Sequence, residues 1–153
     1  KGSPQSKLRG ELYKEGFERI KKGLEEGNYF EVISLVDSII SDRLTSVIQY
    51  IRGTDELDFT VQSVGVVIRY LLKDIKDKEI EVSDEYLKLI KKIDNEWLPQ
   101  RNISIHSFVR VTEKSLNSRK DDRLDKIKKC GEEGSILCRQ LVDQSDKLIR
   151  SLI

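Results

Sequence analysis

The amino-acid sequence predicts an all-α bundle of about five helices, and three observations carry that expectation. Apolar residues recur at spacings of three and four along most of the chain, which lays them in stripes on helices. Only two prolines interrupt the 153 residues, so few positions forbid a helix. Charged residues make up 36% of the chain against 37% hydrophobic, and the two are interspersed, as on solvated helix faces over one core.

The length suits a single domain, assigned to residues 6–153. Residues 1–5, which open Lys-Gly-Ser-Pro in a chain without methionine, are read as a cloning remnant, a truncation or a disordered segment. The first helix is expected from Ser6 to Glu26, with Leu12, Tyr13, Phe17, Ile20 and Leu24 on its inner stripe and Gly27 and Asn28 ending it. The next runs from Tyr29 to Ile51, and its wide apolar face (Val32, Ile33, Val36, Ile39, Ile40, Leu44, Val47, Ile48) marks a central helix touching several neighbours. After the polar break "RGTDELD", the residues Val61, Val64, Val67, Ile68, Leu71, Leu72 and Ile75 return to helical spacing. Ser83 then caps a helix that starts with Asp84 and Glu85 and buries Leu87, Ile90, Ile93 and Trp97. Pro99 lacks a donor and disfavours helical geometry at Leu98, so the chain should kink or restart there and continue as helix to about Asn117. From Lys120 to Ile153 a heptad-like seam passes through Gly131, Gly134 and Cys138, small enough for another helix to come close.

Several function classes are set aside. A formal net charge of +1 gives no overall basic field, so any nucleic-acid contact must come from a local patch. No apolar run approaches the roughly 20 residues that span a bilayer, and no membrane association is expected. Cys130 and Cys138 lie about 12 Å apart along one helix, at about 1.5 Å per residue. They are read as reduced thiols of a cytoplasmic protein. One histidine and two separated cysteines do not make a zinc site, and no metal or cofactor is expected. A phosphate-binding glycine loop and a nucleophile elbow are both missing from the sequence.

The chemistry-bearing stretch is "WLPQRNISIHSFVRV", Trp97 to Val111, which holds the chain's one histidine. On a wheel of about 100° per residue, Ile105, Phe108, Val109, Thr112 and Leu116 share the core face. Arg101 lies at one side of that face, while Asn102, His106 and Arg110 form a stripe at its other edge near Glu113. His106 can exchange a proton near neutral pH. Arg101 stays cationic and offers a fork of donors that matches phosphate oxygens. An acid/base, a cation and an orienting amide suffice to cleave a phosphodiester without metal.

These residues resemble a known family. Arginine, a polar residue, three more residues and then histidine, as in "RNISIH", is similar to the R-x4-6-H signature of the HEPN superfamily. The layout before it is similar too, with an amphipathic first helix and a long apolar second helix containing "ISLVDSIISDRLTSVI". The likeness covers roughly Leu8 to Leu116. It implies a HEPN-like, dimeric bundle that acts as a metal-independent endoribonuclease, in a toxin–antitoxin pair or an antiviral defence response. Arg101 and His106 would be the catalytic pair and Asn102 their polar assistant, with RNA as substrate and a neutralising antitoxin or defence protein as partner. Some members carry a tyrosine two residues after the histidine, where this chain has Phe108. Independently of the family, Arg101 and His106 stand about 140° apart on one helix. A twofold-related copy would bring one motif against the other.

Blander assignments stand beside these. His106 could be a core-edge histidine bonded to Asn102 or Glu113, and Arg101 could lay its stem over Trp97 or Phe108 and cap a carboxylate. Arg43 and Arg110 are weak candidates for substrate contact, and Asp42 with Arg43 reads more simply as a charged pair on the wet side of its helix. The basic stretch from Ser118 to Lys129 is interleaved with aspartates, as on a solvated face. Tyr29 and Trp97 count as core. The competing function is a non-catalytic module of the same fold that binds a nucleotide, an RNA or a protein partner. A helical adaptor unrelated to the family is the third.

Overall fold

The computed structural model describes residues 3–56 and 62–153. Among the described residues the chain is helical without strands. It contains α1 (Pro4–Glu26), α2 (Tyr29–Arg52), α3 (Val64–Asp77), α4 (Asp84–Lys92), α5 (Leu98–His106) and α6 (Lys120–Leu152). A π-helical turn, Ile93–Trp97, joins α4 to α5 without a break, so the six helices form five rods. The all-α expectation holds at this level. Val61, expected on the inner face of the third helix, lies outside the described residues.

The capping residues act largely as their chemistry dictates. Gly27 and Gly53 close α1 and α2 in the left-handed conformation (φ 81° and 70°), which glycine adopts without steric cost. Ser63 and Ser83 cap α3 and α4 by accepting from the backbone N–H groups of Val66 and Tyr86. The first helix starts earlier than its stripe suggested, because Ser3 accepts from the N–H of Ser6 and Pro4 occupies the first turn.

α2 is the central rod, packed on α1, α3 and most extensively α6. Val32, Val36, Ile40, Leu44, Val47 and Ile48 along it are wholly buried. The small-residue seam of α6 turns inward. A Cβ on Gly134 would come within 2.7 Å of the Trp97 ring, and one on Gly131 within 3.4 Å of Val32. Trp97 is buried there and donates its Nε1–H to the carbonyl of Cys130 at 2.9 Å, which satisfies its polar edge. The close approach therefore serves packing within the bundle. Both cysteines are free and buried. Burial pushes the Cys130 thiol up to about 11 and the Cys138 thiol to about 12, so neither is a ready nucleophile.

Three expectations fail at the helix around Pro99. Leu98 is helical (φ −60°, ψ −45°), and the helix runs on through it without a restart. Instead the N–H of Leu98 reaches back five residues to the carbonyl of Ile93, and this widened turn directly precedes Pro99. A proline ring clashes with the carbonyl four residues earlier in an α-helix, and a π turn is one way to relieve that crowding. α5 then ends at His106, not near Asn117. Val109 and Leu116, assigned to a core face, are 83% and 69% exposed, and Thr112 is exposed too, because no helix carries them inward. Leu12 of α1 also points outward, whereas Leu87 is half-buried.

Candidate functional site

α5 is short and has two unlike faces. Leu98 and Ser104 are buried, Arg101 and Ile105 half-buried, and Asn102, Ile103 and His106 exposed. Asn102 and His106, four residues apart, therefore share the outer face with Ile103, whose side chain is 63% exposed. The stripe stops there. Because the helix ends at His106, Arg110 falls in the following loop and is no longer in register with Asn102 and His106.

Arg101 is the best-anchored member. Its Nη1 pairs with the carboxylate of Asp37 on α2, and its Nε and Nη2 both donate to Oδ1 of Asn102, at 3.2 and 2.9 Å. The guanidinium also stands 5.7 Å from the centre of the Trp97 ring. Desolvation pushes the Asp37 carboxyl above the ordinary carboxylate value, and the Arg101 charge opposes that rise without cancelling it. Sequence reasoning missed Asp37, since nothing in "ISLVDSII" separates it from other helical aspartates. His106 differs in kind. Among the described residues it has no hydrogen-bond or ion-pair partner, neither Asn102 nor Glu113, and its imidazole is open to solvent at the end of α5.

The loop after His106 is held by one residue of α6. Arg123 donates to the backbone carbonyls of Ser107, Phe108, Arg110, Ser115 and Ser118 at 2.7 to 3.2 Å. A single guanidinium thus satisfies backbone oxygens that would otherwise be paired in a helix. Phe108 folds back edge-on against Phe30, with ring centres 5.0 Å apart. The rest of the loop exposes Val109, Val111 and Leu116 beside the histidine's end of α5.

Arg43 goes elsewhere. It stands six residues beyond Asp37 on α2, about 9 Å along the axis and about 120° around it. It is not on the wet side of the helix as expected but 8% exposed. Its Nε donates to the Tyr13 hydroxyl at 2.7 Å, Nη1 to Asp146 at 2.9 Å and Nη2 to Ser46 at 3.0 Å. Tyr13 in turn donates to Asp42, which also takes Nε of Arg9 at 3.1 Å. Desolvation works against the Arg43 charge, but the polar groups around it outweigh that effect and its pKa lies above the ordinary value.

Among the described residues no group of three or more His, Cys, Asp or Glu side chains could hold a metal ion, and no helix is long and apolar enough to cross a membrane. Comparison with protein-family models, with curated proteins and with solved structures found no match to the chain.

Proposed function

We propose that the chain is a metal-independent endoribonuclease of the HEPN type, active as a homodimer through Arg101, Asn102 and His106, and serving a toxin–antitoxin or antiviral defence system in the cytoplasm. Asn102 carries this reading. Its side-chain oxygen takes two N–H groups of Arg101, and its spacing of four residues from His106 leaves both on one exposed helical face. The motif's three members are thereby linked, two by hydrogen bonds and the third by register.

In the reaction, a ribose 2′-OH attacks the adjacent phosphorus. The P–O2′ bond forms as the P–O5′ bond breaks, leaving a 2′,3′-cyclic phosphate and a 5′-OH. One copy's His106 accepts the 2′-OH proton and the other copy's imidazolium protonates the leaving oxygen. Arg101 stabilises the charge that grows on the phosphoryl oxygens. The exposed Ile103, Val109, Val111 and Leu116 supply apolar area for a twofold contact around the paired motifs.

A second reading has its own support. Arg101 already spends its fork on Asp37 and Asn102 and lies over Trp97, as a residue fastening α5 to α2 would. The chain would then be a non-catalytic module for a nucleotide, RNA or protein partner. Cleavage of mixed-sequence RNA and of tRNAs in EDTA, by wild type and by His106→Ala shown to be folded dimers, separates the two. Cyclic phosphate ends from the wild type alone support the nuclease; RNA left intact by both favours the module.

A further inference from the structure

α5 stops at His106 without any residue that ordinarily ends a helix. α1 and α2 close on glycines in the left-handed conformation, but α5 closes on Ser107 with an unstrained backbone (φ −88°, ψ −3°). From Gln100 to Cys130 the sequence holds neither glycine nor proline. Among the described residues positive φ occurs at Gly27, Gly53 and Glu79, and nowhere in the loop 107–119. The local backbone therefore does not bar a further helical turn.

That turn is already half made. The Ser107 N–H bonds to the carbonyl of Ile103 at 3.0 Å, as in an α-helix, and the Phe108 N–H to that of Ile105 at 3.3 Å, in the tighter 3₁₀ pattern. The N–H groups of Val109 and Arg110 donate to nothing among the described residues, whereas one more turn would pair them with the carbonyls of Ile105 and His106. Against this stands Arg123, which takes the carbonyls of Ser107, Phe108 and Arg110 as well as those of Ser115 and Ser118. The loop thus rests on one guanidinium, and its competitor on backbone bonds.

Chain length sets how far the helix could run. α6 begins beside the end of α5, where Arg123 meets the Ser107 carbonyl at 2.8 Å. A helix continued to Asn117 would carry the chain about 16 Å past His106, and the three peptide links back to Lys120 reach at most about 11 Å. Extension to Arg110 advances only about 6 Å, which the residues 111–119 span easily.

We propose that Arg123 is a latch that withholds this turn: on its release α5 gains residues 107–110, and Arg110 joins Asn102 and His106 at four-residue spacing on the exposed face. That the completed stripe serves RNA rests on the nuclease reading; the latch itself does not. The test is NMR of the full chain, reading Cα chemical shifts and amide exchange in wild type, Arg123→Gln and Arg123→Lys. Arg123→Gln should move the shifts of residues 107–110 to helical values and slow exchange at Val109 and Arg110 about tenfold, with amide protection in α2 unchanged as the mark of an intact bundle. Arg123→Lys, whose three donors cannot serve five carbonyls, should give a smaller gain of the same kind. Adding Val109→Pro to Arg123→Gln should cancel the gain, because proline removes the Val109 donor and disfavours helix at Phe108. The latch is overturned if residues 107–110 stay irregular or exchange faster in Arg123→Gln, or in Arg123→Lys should the glutamine variant not fold. It is overturned too if the gain survives Val109→Pro. No readout involves RNA, so the result stands even if His106 cuts nothing.

Discussion

Arg43 and Arg101 are built alike and used differently. Each pairs with an aspartate from another part of the fold, and each lies over an aromatic ring, Tyr13 at 5.0 Å and Trp97 at 5.7 Å. Arg43, however, is enclosed by groups from α1, α2 and α6, whereas Arg101 bonds one distant carboxylate and its own neighbour Asn102 at the rim of α5. A guanidinium fixed from three helices knits those helices together. One fixed by a single distant carboxylate and its own neighbour holds one element in place, although its side chain is nearly as buried, 16% exposed against 10% for Arg43.

The comparison can be broken most decisively at Arg43. Its replacement by alanine leaves Asp146, the Tyr13 hydroxyl and Ser46 without their cationic donor, several charged hydrogen bonds at once, each worth about 1.5–3 kcal/mol. Urea denaturation should show that loss as a lower midpoint; an unchanged midpoint would mean the network does not hold the helices. Arg101→Ala should cost less, about 1.5–3 kcal/mol at neutral pH for a charged hydrogen bond left unmade.

The pH dependence of that second variant sharpens the contrast. Asp37 already sits above the ordinary carboxylate value through burial, and losing Arg101 removes the one charge that opposes the rise. A raised folded pKa contributes stability that is present below the unfolded value and lost as pH rises through the folded one. The deficit of Arg101→Ala relative to wild type should therefore be small near pH 3 and grow to its full size by neutral pH. Melting temperatures across that range will show it, and a pH-independent deficit would count against the ion pair. The smallest effect is expected at His106, where nothing is bonded: His106→Ala should stay within about 0.5 kcal/mol of wild type. A larger loss in the same denaturation assay would reveal a structural duty for the imidazole.

Periodicity made α1, α2, α3 and α6 legible, and the caps at Gly27 and Ser83 followed from local chemistry. Two of the failures have one cause, which is that distant residues decide them. Arg43 looks like a wet-face residue because its stabilising groups Tyr13 and Asp146 stand 30 and 103 positions away. Likewise "SFVRV" looks helical, yet it is irregular because Arg123, up to sixteen residues on, takes the carbonyls of Ser107, Phe108 and Arg110. The candidate site was partly visible. Arg101, Asn102 and His106 were picked out together, but Asp37 carries no local signature and the apolar loop was assigned to the core.

The π turn before Pro99 also works as a phase shifter. It contains one residue more than an ordinary turn would, so α5 is rotated by about 100° relative to the course α4 would have set. That offset lets Trp97 face Gly134 while Arg101, one turn later, meets Asp37. A chain shortened by one residue between Ile93 and Trp97 would turn Trp97 and Arg101 together by about 100° relative to α4, so it could keep both contacts only by giving up the packing of α4; the length of this turn couples the helix before it to the orientation of the motif.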